Sequence, residues 1–530
     1  MMGIEPMSHE MTHLLFVVGL SLLAGQPACS SSPRRDETTI VVVRARDSST
    51  LDPARATDID SMDVIAQVYE TLVAYAPGGF EVQPGLAVRW TRSTDLKVWT
   101  FTLRKDVRFH DGTKMNADAV VYSFLRQARG GLHQKDFVYW NSSFSDIIQD
   151  VKRVSEYKVR FLLTRPFAPF LESLAMFPVS IVSPSAARIH HDDLDSVSAG
   201  TGPFKVTARD RKAGTVTLKA FSGYWGKHPK VGRIVFRAIR DARHRLLALE
   251  SGAAQIMRDI DPDTQRLIQL HPELQVVTVR GNTVAYVALN TSRPPFNNPY
   301  ARWAVNRAVR KKALVKLVYQ GLAEPARGPL PPAIKWAYNA KVATYPYDPK
   351  RARQDLAAAG YHDDPMHRPA LFVMDTPRPY LPRPLLTARM IAKDLERIGM
   401  PLRIVAQSFS RHKASMKRGE PELALYGWVG DNGDPDNFLY TLLSPRSPLN
   451  MSFWHDAEYS ALVDAAREAR LRNERADYYK KAQVLVAKQA PWIPLAYTKL
   501  VVAVSRRLSG FNLQPTSILR LATVRMSTDQ

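Results

Sequence analysis

Cysteine is almost absent from this chain of 530 residues, and the only one is Cys29. A single thiol excludes an internal disulfide, and it also excludes a metal site built from several cysteine ligands. Long apolar runs are missing too, since the run at residues 14–25 has 12 residues and a helix that spans a bilayer needs about 20. The sequence is therefore neither a disulfide-stabilised scaffold nor a polytopic membrane protein.

The local signatures of several common active sites are also missing. The chain contains no phosphate-binding G-x-x-x-x-G-K-S/T, no G-x-G-x-x-G, no G-x-S-x-G and no H-E-x-x-H pattern. Glycine and proline are scattered, so no low-complexity linker divides the chain. We therefore expect no catalytic residue, no metal and no cofactor, although a triad assembled from distant residues stays open.

Acidic residues are too few to balance the basic ones, and the formal net charge is +23. A charge of this size favours attraction to nucleic acid or to an anionic membrane surface. The basic residues are spread along the chain without regularly interleaved aromatics, so we expect no nucleic-acid partner. Apolar residues make up 45% and charged residues 23%, as in water-soluble globular proteins, and the length corresponds to about three to four domain-sized units.

Residues 1–35 predict export rather than a folded domain. The apolar run at residues 14–25 is followed by Cys29 and by a polar stretch at residues 30–34. This order resembles a bacterial lipoprotein signal, in which the cysteine becomes the acylated first residue, so we expect a periplasmic protein anchored to the membrane through Cys29. The alternative is a cleaved secretory signal with a spectator cysteine, and both alternatives export the chain.

The rest of the chain shows the periodicities of both strands and helices. Apolar and polar residues alternate at residues 99–103, 159–163 and 216–220, as in half-buried strands. Asn116 precedes a helical apolar stripe and predicts an N-cap, and residues 302–319 predict one continuous helix. The sequence therefore predicts a mixed α/β fold in several lobes.

Several stretches of the sequence, taken together, resemble one protein family. They follow the family's order at residues 97–107 (KVWTFTLRKDV), 109–112 (FHDG), 115–124 (MNADAVVYSF), 200–206 (GTGPFKV), 285–291 (AYVALNT), 294–299 (PPFNNP) and 426–438 (YGWVGDNGDPDNF). They make the chain similar to the peptide/nickel-type solute-binding proteins of ABC importers, extracellular solute-binding family 5. Within that family the chain most resembles dipeptide-binding and SapA-like proteins.

The resemblance implies a two-lobed clamp of the periplasmic-binding-protein type (type II, cluster C). It places the core of lobe 1 at residues 36–77, 200–285 and 497–530, an extra small domain at 78–199, and lobe 2 at 286–496. Two crossings, near Tyr286 and near Tyr497, join the lobes in this interpretation. Ligand is then enclosed when the lobes rotate about a few hinge residues.

A ligand with two charged ends sets the chemistry that such a clamp needs. A free dipeptide carries an ammonium and a carboxylate about 7 Å apart, and burying either charge is unfavourable without an opposite charge. By the resemblance, Asp431 matches the acid that pairs with the peptide amine, and Arg378 matches the arginine that pairs with the carboxylate. Phe409 and Trp428 would line side-chain pockets. The simpler interpretations are an exposed loop residue for Arg378, a turn-forming acid for Asp431, and core positions for both aromatics.

The resemblance implies a binding protein that captures short peptides, dipeptides above all, and delivers them to an ABC transporter permease. A fixed Arg378 favours dipeptides because binders of longer peptides leave the carboxylate end variable. We expect a monomer without enzymatic activity. Haem, a nickel chelate or an antimicrobial peptide are alternative ligands within the same family, and an exported peptidase is an alternative from a different class.

Overall fold

The computed structural model describes residues 39–130 and 135–527. The predicted signal, its tether and Cys29 lie outside the described residues, so acylation of Cys29 stays a prediction. Within the two described ranges, no helix has both the length and the apolar character that crossing a bilayer requires.

Strands and helices alternate irregularly along the described chain, as its mixed periodicities predict. The strands are β1 (Thr39–Arg44), β2 (Val73–Tyr75), β3 (Val82–Pro84), β4 (Ala87–Arg92), β5 (Val98–Leu103), β6 (Ile148–Ser155), β7 (Lys158–Leu163), β8 (Phe204–Asp210), β9 (Thr215–Ala220), β10 (Arg233–Ala238), β11 (Ile256–Met257), β12 (Leu274–Leu289), β13 (Ala323–Pro325), β14 (Ala370–Met374), β15 (Arg403–Gln407), β16 (Leu423–Val429), β17 (Trp492–Ser505), β18 (Leu508–Ser509) and β19 (Arg525–Met526). The helices are α1 (Ile59–Val68), α2 (Ala117–Ala128), α3 (Val138–Ser143), α4 (Phe170–Ser173), α5 (Pro184–Ile189), α6 (Ala242–Glu250), α7 (Pro262–Leu270), α8 (Pro299–Ala308), α9 (Lys311–Tyr319), α10 (Pro349–Ala358), α11 (Pro384–Glu396), α12 (Phe409–Lys417), α13 (Asp436–Leu443), α14 (Ala457–Glu468) and α15 (Arg472–Gln489).

A mixed sheet forms the centre of the fold and confirms the predicted clamp. Its strands lie in the order β15-β14-β16-β12-β17-β11-β1-β10-β9-β8, and β13 pairs with β17. The long strands β12 and β17 are antiparallel, and their register is interrupted between Arg280 and Val284. At Gly281 the two strands come so close that a Cβ atom would lie 2.7 Å from the Thr498 carbonyl oxygen. β12 contains Tyr286 and β17 contains Tyr497, near which the resemblance places the two crossings, and these positions of the crossings stay predictions.

Separate apolar cores support the two lobes and the small domain. The antiparallel sheet β4-β5-β7-β6 packs its buried face against α2, in a core that includes Trp99, Phe101, Phe124 and Phe161. A core around β1, β9 and β10 includes Val42, Val216 and Phe236. A further core around β12, β14 and β16 includes Val287, Val373 and Leu425. The residue boundaries that the resemblance implies for the domains stay predictions.

The local patterns that predict strands and a helix cap are confirmed. Strands β5, β7 and β9 cover the three alternating segments, and the alternating apolar residues are buried except Ala220, which is half-buried. Asn116 caps α2, because its side chain accepts a hydrogen bond from the Ala119 N–H. That bond satisfies one of the amide groups that have no partner within the first turn of a helix.

The continuous helix predicted at residues 302–319 is wrong. The chain instead forms α8 and α9, with non-helical backbone at Val309 and Arg310. The Arg310 N–H donates to Asp394 Oδ2 at 3.0 Å, and the Arg310 guanidinium donates to Asp394 Oδ1 at 2.8 Å. Because this buried carboxylate of α11 takes the N–H that a continuous helix would use, a tertiary contact overrides the local helical pattern.

Candidate ligand-binding site

The ends of three neighbouring parallel strands meet at one edge of lobe 2, which we call the carboxyl edge. β14 pairs with β15, where Met374 lies opposite Gln407, and with β16, where Phe372 lies opposite Ala424. In open α/β sheets, ligands bind beyond the carboxyl ends of such strands. The segments that follow these three strands contain the candidate ligand-binding residues predicted from the sequence. The fold therefore places those residues at the same edge of the sheet.

Arg378 lies in the loop that follows β14, and this loop is closed by hydrogen bonds in both directions between Arg378 and Leu381, at 3.0 and 2.8 Å. The guanidinium carbon lies 3.8 Å from the ring centroid of Phe409, the first residue of α12, in a cation–π contact. Its Nε atom is buried and has no hydrogen-bond acceptor among the described residues. Arg378 is therefore half-buried and stacked, and the simpler interpretation as a freely exposed loop residue does not fit its surroundings.

Two tyrosine hydroxyls near Arg378 remain neutral. Burial raises the pKa of Tyr426 to about 12, and the positive charge of Arg378 opposes this rise. Burial also raises the pKa of Tyr380, again against the charge of Arg378. Neither phenol therefore supplies a negative charge beside the Arg378 guanidinium.

Asp431 follows β16 and has a hydrogen-bond donor on each carboxylate oxygen. The Tyr139 hydroxyl donates to Oδ1 at 2.8 Å, and the Asn437 side-chain amide donates to Oδ2 at 3.2 Å. Burial raises the pKa of Asp431, while the hydrogen bonds from Tyr139 and Asn437 lower it. Asp431 and Arg378 follow the neighbouring strands β16 and β14 and form no ion pair with each other.

The Asn437 side chain connects Asp431 with Trp428, and this role was not identified from the sequence. Its side-chain oxygen accepts from the Asp431 backbone N–H at 3.0 Å and from the Trp428 indole N–H at 2.9 Å. Trp428 is half-buried and also packs against the core of lobe 2, so it serves both the core and the site edge. The resembling stretch at 426–438 contains Asn437 and could have indicated it, whereas Tyr139 lies outside every resembling stretch.

The other acid of this loop has a structural role. Asp434 is fully buried and accepts two hydrogen bonds from the Arg475 guanidinium, at 2.8 and 2.7 Å. A Cβ on Gly433 would lie 2.3 Å from the Phe80 Cβ, so a glycine is needed where the loop meets this phenylalanine. The contacts with Arg475 and Phe80 therefore fix the loop around Gly433. Because Asp434 is paired with Arg475, Asp431 is the acid of this loop that remains at the carboxyl edge.

Metal ligands do not cluster in the part of the chain that the structure describes. No group of three or more His, Cys, Asp or Glu side chains is placed to hold an ion there. Burial lowers the pKa of His110 and of His412 to about 4, so both rings are neutral. His110 and His412 each lie within hydrogen-bond distance of a backbone carbonyl, of Gly202 and Leu425 respectively.

The sequence is similar to that of several named binding proteins. It is 35% identical over 470 residues to the heme-binding protein A of Haemophilus influenzae, covering 85% of this chain and 85% of that protein. It is 33% identical over 519 residues to the dipeptide-binding protein of Escherichia coli, covering 94% of this chain and 96% of that protein. Both alignments extend over nearly the whole length of each protein.

Solved structures show the same similarity at the level of the fold. HbpA2 from Haemophilus parasuis matches with a TM-score of 0.84 and 32% identity, over 92% of this chain and 100% of that one. The periplasmic binding protein DppA from Helicobacter pylori, in complex with the peptide STSA, matches with a TM-score of 0.78 and 31% identity, over 92% of this chain and 98% of that one. The sequence profile of the bacterial extracellular solute-binding proteins, family 5, matches residues 81–449. The chain therefore belongs to the family 5 extracellular solute-binding proteins.

Proposed function

We propose that this protein captures short peptides, with dipeptides favoured, and delivers them to the permease of an ABC transporter. One observation carries the proposal: the Asp431 carboxylate and the Arg378 guanidinium follow the adjacent strands β16 and β14 at the carboxyl edge, and they form no ion pair with each other. Relatives of this chain are named for dipeptides, and one solved neighbour holds a bound peptide. A zwitterionic ligand fits such a pair of fixed charges.

The two charges have distinct roles in this proposal. Asp431 receives the peptide ammonium, and Arg378 holds both oxygens of the peptide carboxylate through its planar fork. Phe409 and Trp428 line the side-chain pockets. A fixed arginine at the carboxylate end limits the length of the ligand, which favours dipeptides over longer peptides.

The cellular setting follows from the same proposal. The protein acts outside the cytoplasm, in the periplasm, as a monomer, and it binds its ligand without converting it. Acylation at Cys29 anchors it to the membrane beside its permease. Replacing Cys29 by serine should release the protein into the soluble periplasmic fraction, whereas an unchanged membrane fraction would contradict the anchor.

Calorimetry with peptides of increasing length tests the ligand. We expect heat of binding with Ala-Ala and a progressive loss of affinity with tri-alanine and hexa-alanine. Recovery of intact Ala-Ala after long incubation with the protein would support a binder, and its hydrolysis would contradict one. The absence of heat with every free dipeptide would refute the peptide proposal.

Haem is the second candidate ligand, because one relative at 35% identity is named a heme-binding protein. The buried histidines do not favour it, since the Nε2 atoms of His110 and His412 already lie within hydrogen-bond distance of backbone carbonyls. Addition of haem followed by visible absorption distinguishes the two candidates. A saturable band that dipeptides do not displace would favour haem.

A further inference from the structure

A second cation lies beside the aromatic ring that supports Arg378. The Lys413 ammonium is 5.9 Å from the ring centroid of Phe409, and the Arg378 guanidinium carbon is 3.8 Å from the same centroid. The two cations come from different elements, since Arg378 follows β14 and Lys413 belongs to α12. Phe409 and Lys413 are four residues apart on that helix, a spacing at which side chains are neighbours.

Neither cation is neutralised within the described chain. Helix α12 contains no acidic residue. Glu420, which follows the helix, is paired with Arg418 at 2.6 Å. Asp375, the nearest acid before Arg378, is exposed and forms no ion pair with either cation. In the residues that the structure describes, no carboxylate is ion-paired with Arg378 or with Lys413.

The surroundings of both groups favour an incoming anion. The Nε atom of Arg378 is buried without an acceptor among the described residues. Partial burial, followed by the charge of the neighbouring Lys417, lowers the pKa of Lys413. Both cations lie against the Phe409 ring without a paired carboxylate, so a ligand with two carboxylates places one negative charge at each cation.

We infer that this end of the site binds two carboxylates, so that the preferred ligands are short peptides with Asp or Glu at their C-terminal position. Arg378 holds the main-chain carboxylate and Lys413 holds the side-chain carboxylate, and both cations lie against the ring of Phe409. The inference rests on the proposed peptide function and adds to it a specificity that the resemblance does not contain. Lys413 determines specificity here, whereas Arg378 is needed for every dipeptide.

Calorimetry with a matched pair of ligands tests this inference. Ala-Glu and Ala-Gln differ by one charge and have nearly the same shape. We expect the wild-type protein to bind Ala-Glu about five-fold more tightly than Ala-Gln, the size of effect of a partly exposed ion pair. In Lys413→Gln the ratio should fall to about one, Lys413→Arg should keep the preference, and Arg411→Gln on the same helix should leave the ratio unchanged.

The outcomes separate this inference from the function on which it rests. If wild-type protein binds Ala-Ala but does not distinguish Ala-Glu from Ala-Gln, the acidic preference is refuted and the peptide function stands. A preference that persists in Lys413→Gln refutes the role of Lys413. If no dipeptide gives heat, the peptide function itself fails.

Discussion

The Tyr139 hydroxyl donates a hydrogen bond to Asp431 Oδ1 at 2.8 Å and so connects helix α3 with the loop after β16. Tyr139→Phe removes this donor and leaves a carboxylate oxygen unsatisfied. An unsatisfied buried polar group costs about 1–3 kcal/mol, so we expect the free energy of unfolding to fall by that amount at neutral pH. Urea unfolding of the wild-type protein and of Tyr139→Phe measures this difference in the free energy of unfolding. Tyr347→Phe is the matched control, because Tyr347 is 46% exposed, and an equal loss in both variants would contradict the prediction.

The pH dependence of dipeptide binding should follow Asp431. Burial raises the pKa of this carboxyl, and only its ionised form attracts the ligand ammonium. Affinity is therefore full above the raised pKa and falls as the pH drops through it, beginning at a higher pH than for an ordinary aspartate. Calorimetry across the mildly acidic range tests this. Asp431→Asn should bind weakly and without this dependence, and the same pH profile in both proteins would assign the titration to another group.

Removal of either charge at the carboxyl edge should weaken dipeptide binding. Asp431→Ala and Arg378→Ala each leave one ligand charge without its partner, which costs about 2–5 kcal/mol for enclosed charge pairs. Arg389→Ala, at an exposed position of α11, is the control and should leave the affinity unchanged.

A ligand without a carboxylate sharpens this test. Arg378→Ala should weaken the binding of Ala-Ala amide much less than that of Ala-Ala, because the amide has no negative charge for the arginine to meet. A loss of Ala-Ala amide binding in Arg378→Ala would show that the substitution acts through the shape of the loop. Near-normal affinity for Ala-Ala in Asp431→Ala would remove that residue from the site.

The pair of Asp434 and Arg475 should matter far more for stability than an exposed pair. Arg475→Met leaves the fully buried Asp434 carboxylate without its partner, which costs about 3–5 kcal/mol. Arg446→Met breaks the exposed pair with Asp464 and should cost at most about 1 kcal/mol. Urea unfolding of both variants measures the difference, and losses of similar size would contradict the structural role of Asp434.

The sequence predicts the parts of the fold whose causes are local. Alternating residues at 99–103 mark β5, and Asn116 predicts the start of α2, because side-chain alternation and capping depend on a few neighbouring residues. The helix break at Val309 was not predictable in this way. Its cause is the carboxylate of Asp394, which is distant in sequence, and no pattern near Val309 indicates it.

The candidate site also contains some residues that the sequence indicates and others that only the tertiary fold brings into place. Asp431 could be named because it lies in the resembling stretch at 426–438, and Arg378 because the resemblance matches it to the arginine that pairs with the peptide carboxylate. Tyr139 could not be named, because its role depends on the approach of α3 to a loop almost three hundred residues away. Lys413 was missed as well, since a lysine on a helix surface has no distinguishing pattern until the ring of Phe409 places it beside Arg378.

The two ends of the site differ in how they are assembled, and this should appear in the kinetics. Arg378 and Phe409 follow the adjacent strands β14 and β15, so under the proposed function we expect the carboxylate end to form without rotation of the lobes. Asp431 is held by Tyr139 from a distant part of the chain. In stopped-flow measurements, Arg378→Ala should mainly slow association and Tyr139→Phe should mainly speed dissociation, whereas an effect of both on the same rate constant would contradict this order. Under the proposed function, we therefore expect a peptide to enter carboxylate first and its amine to determine the rate of dissociation.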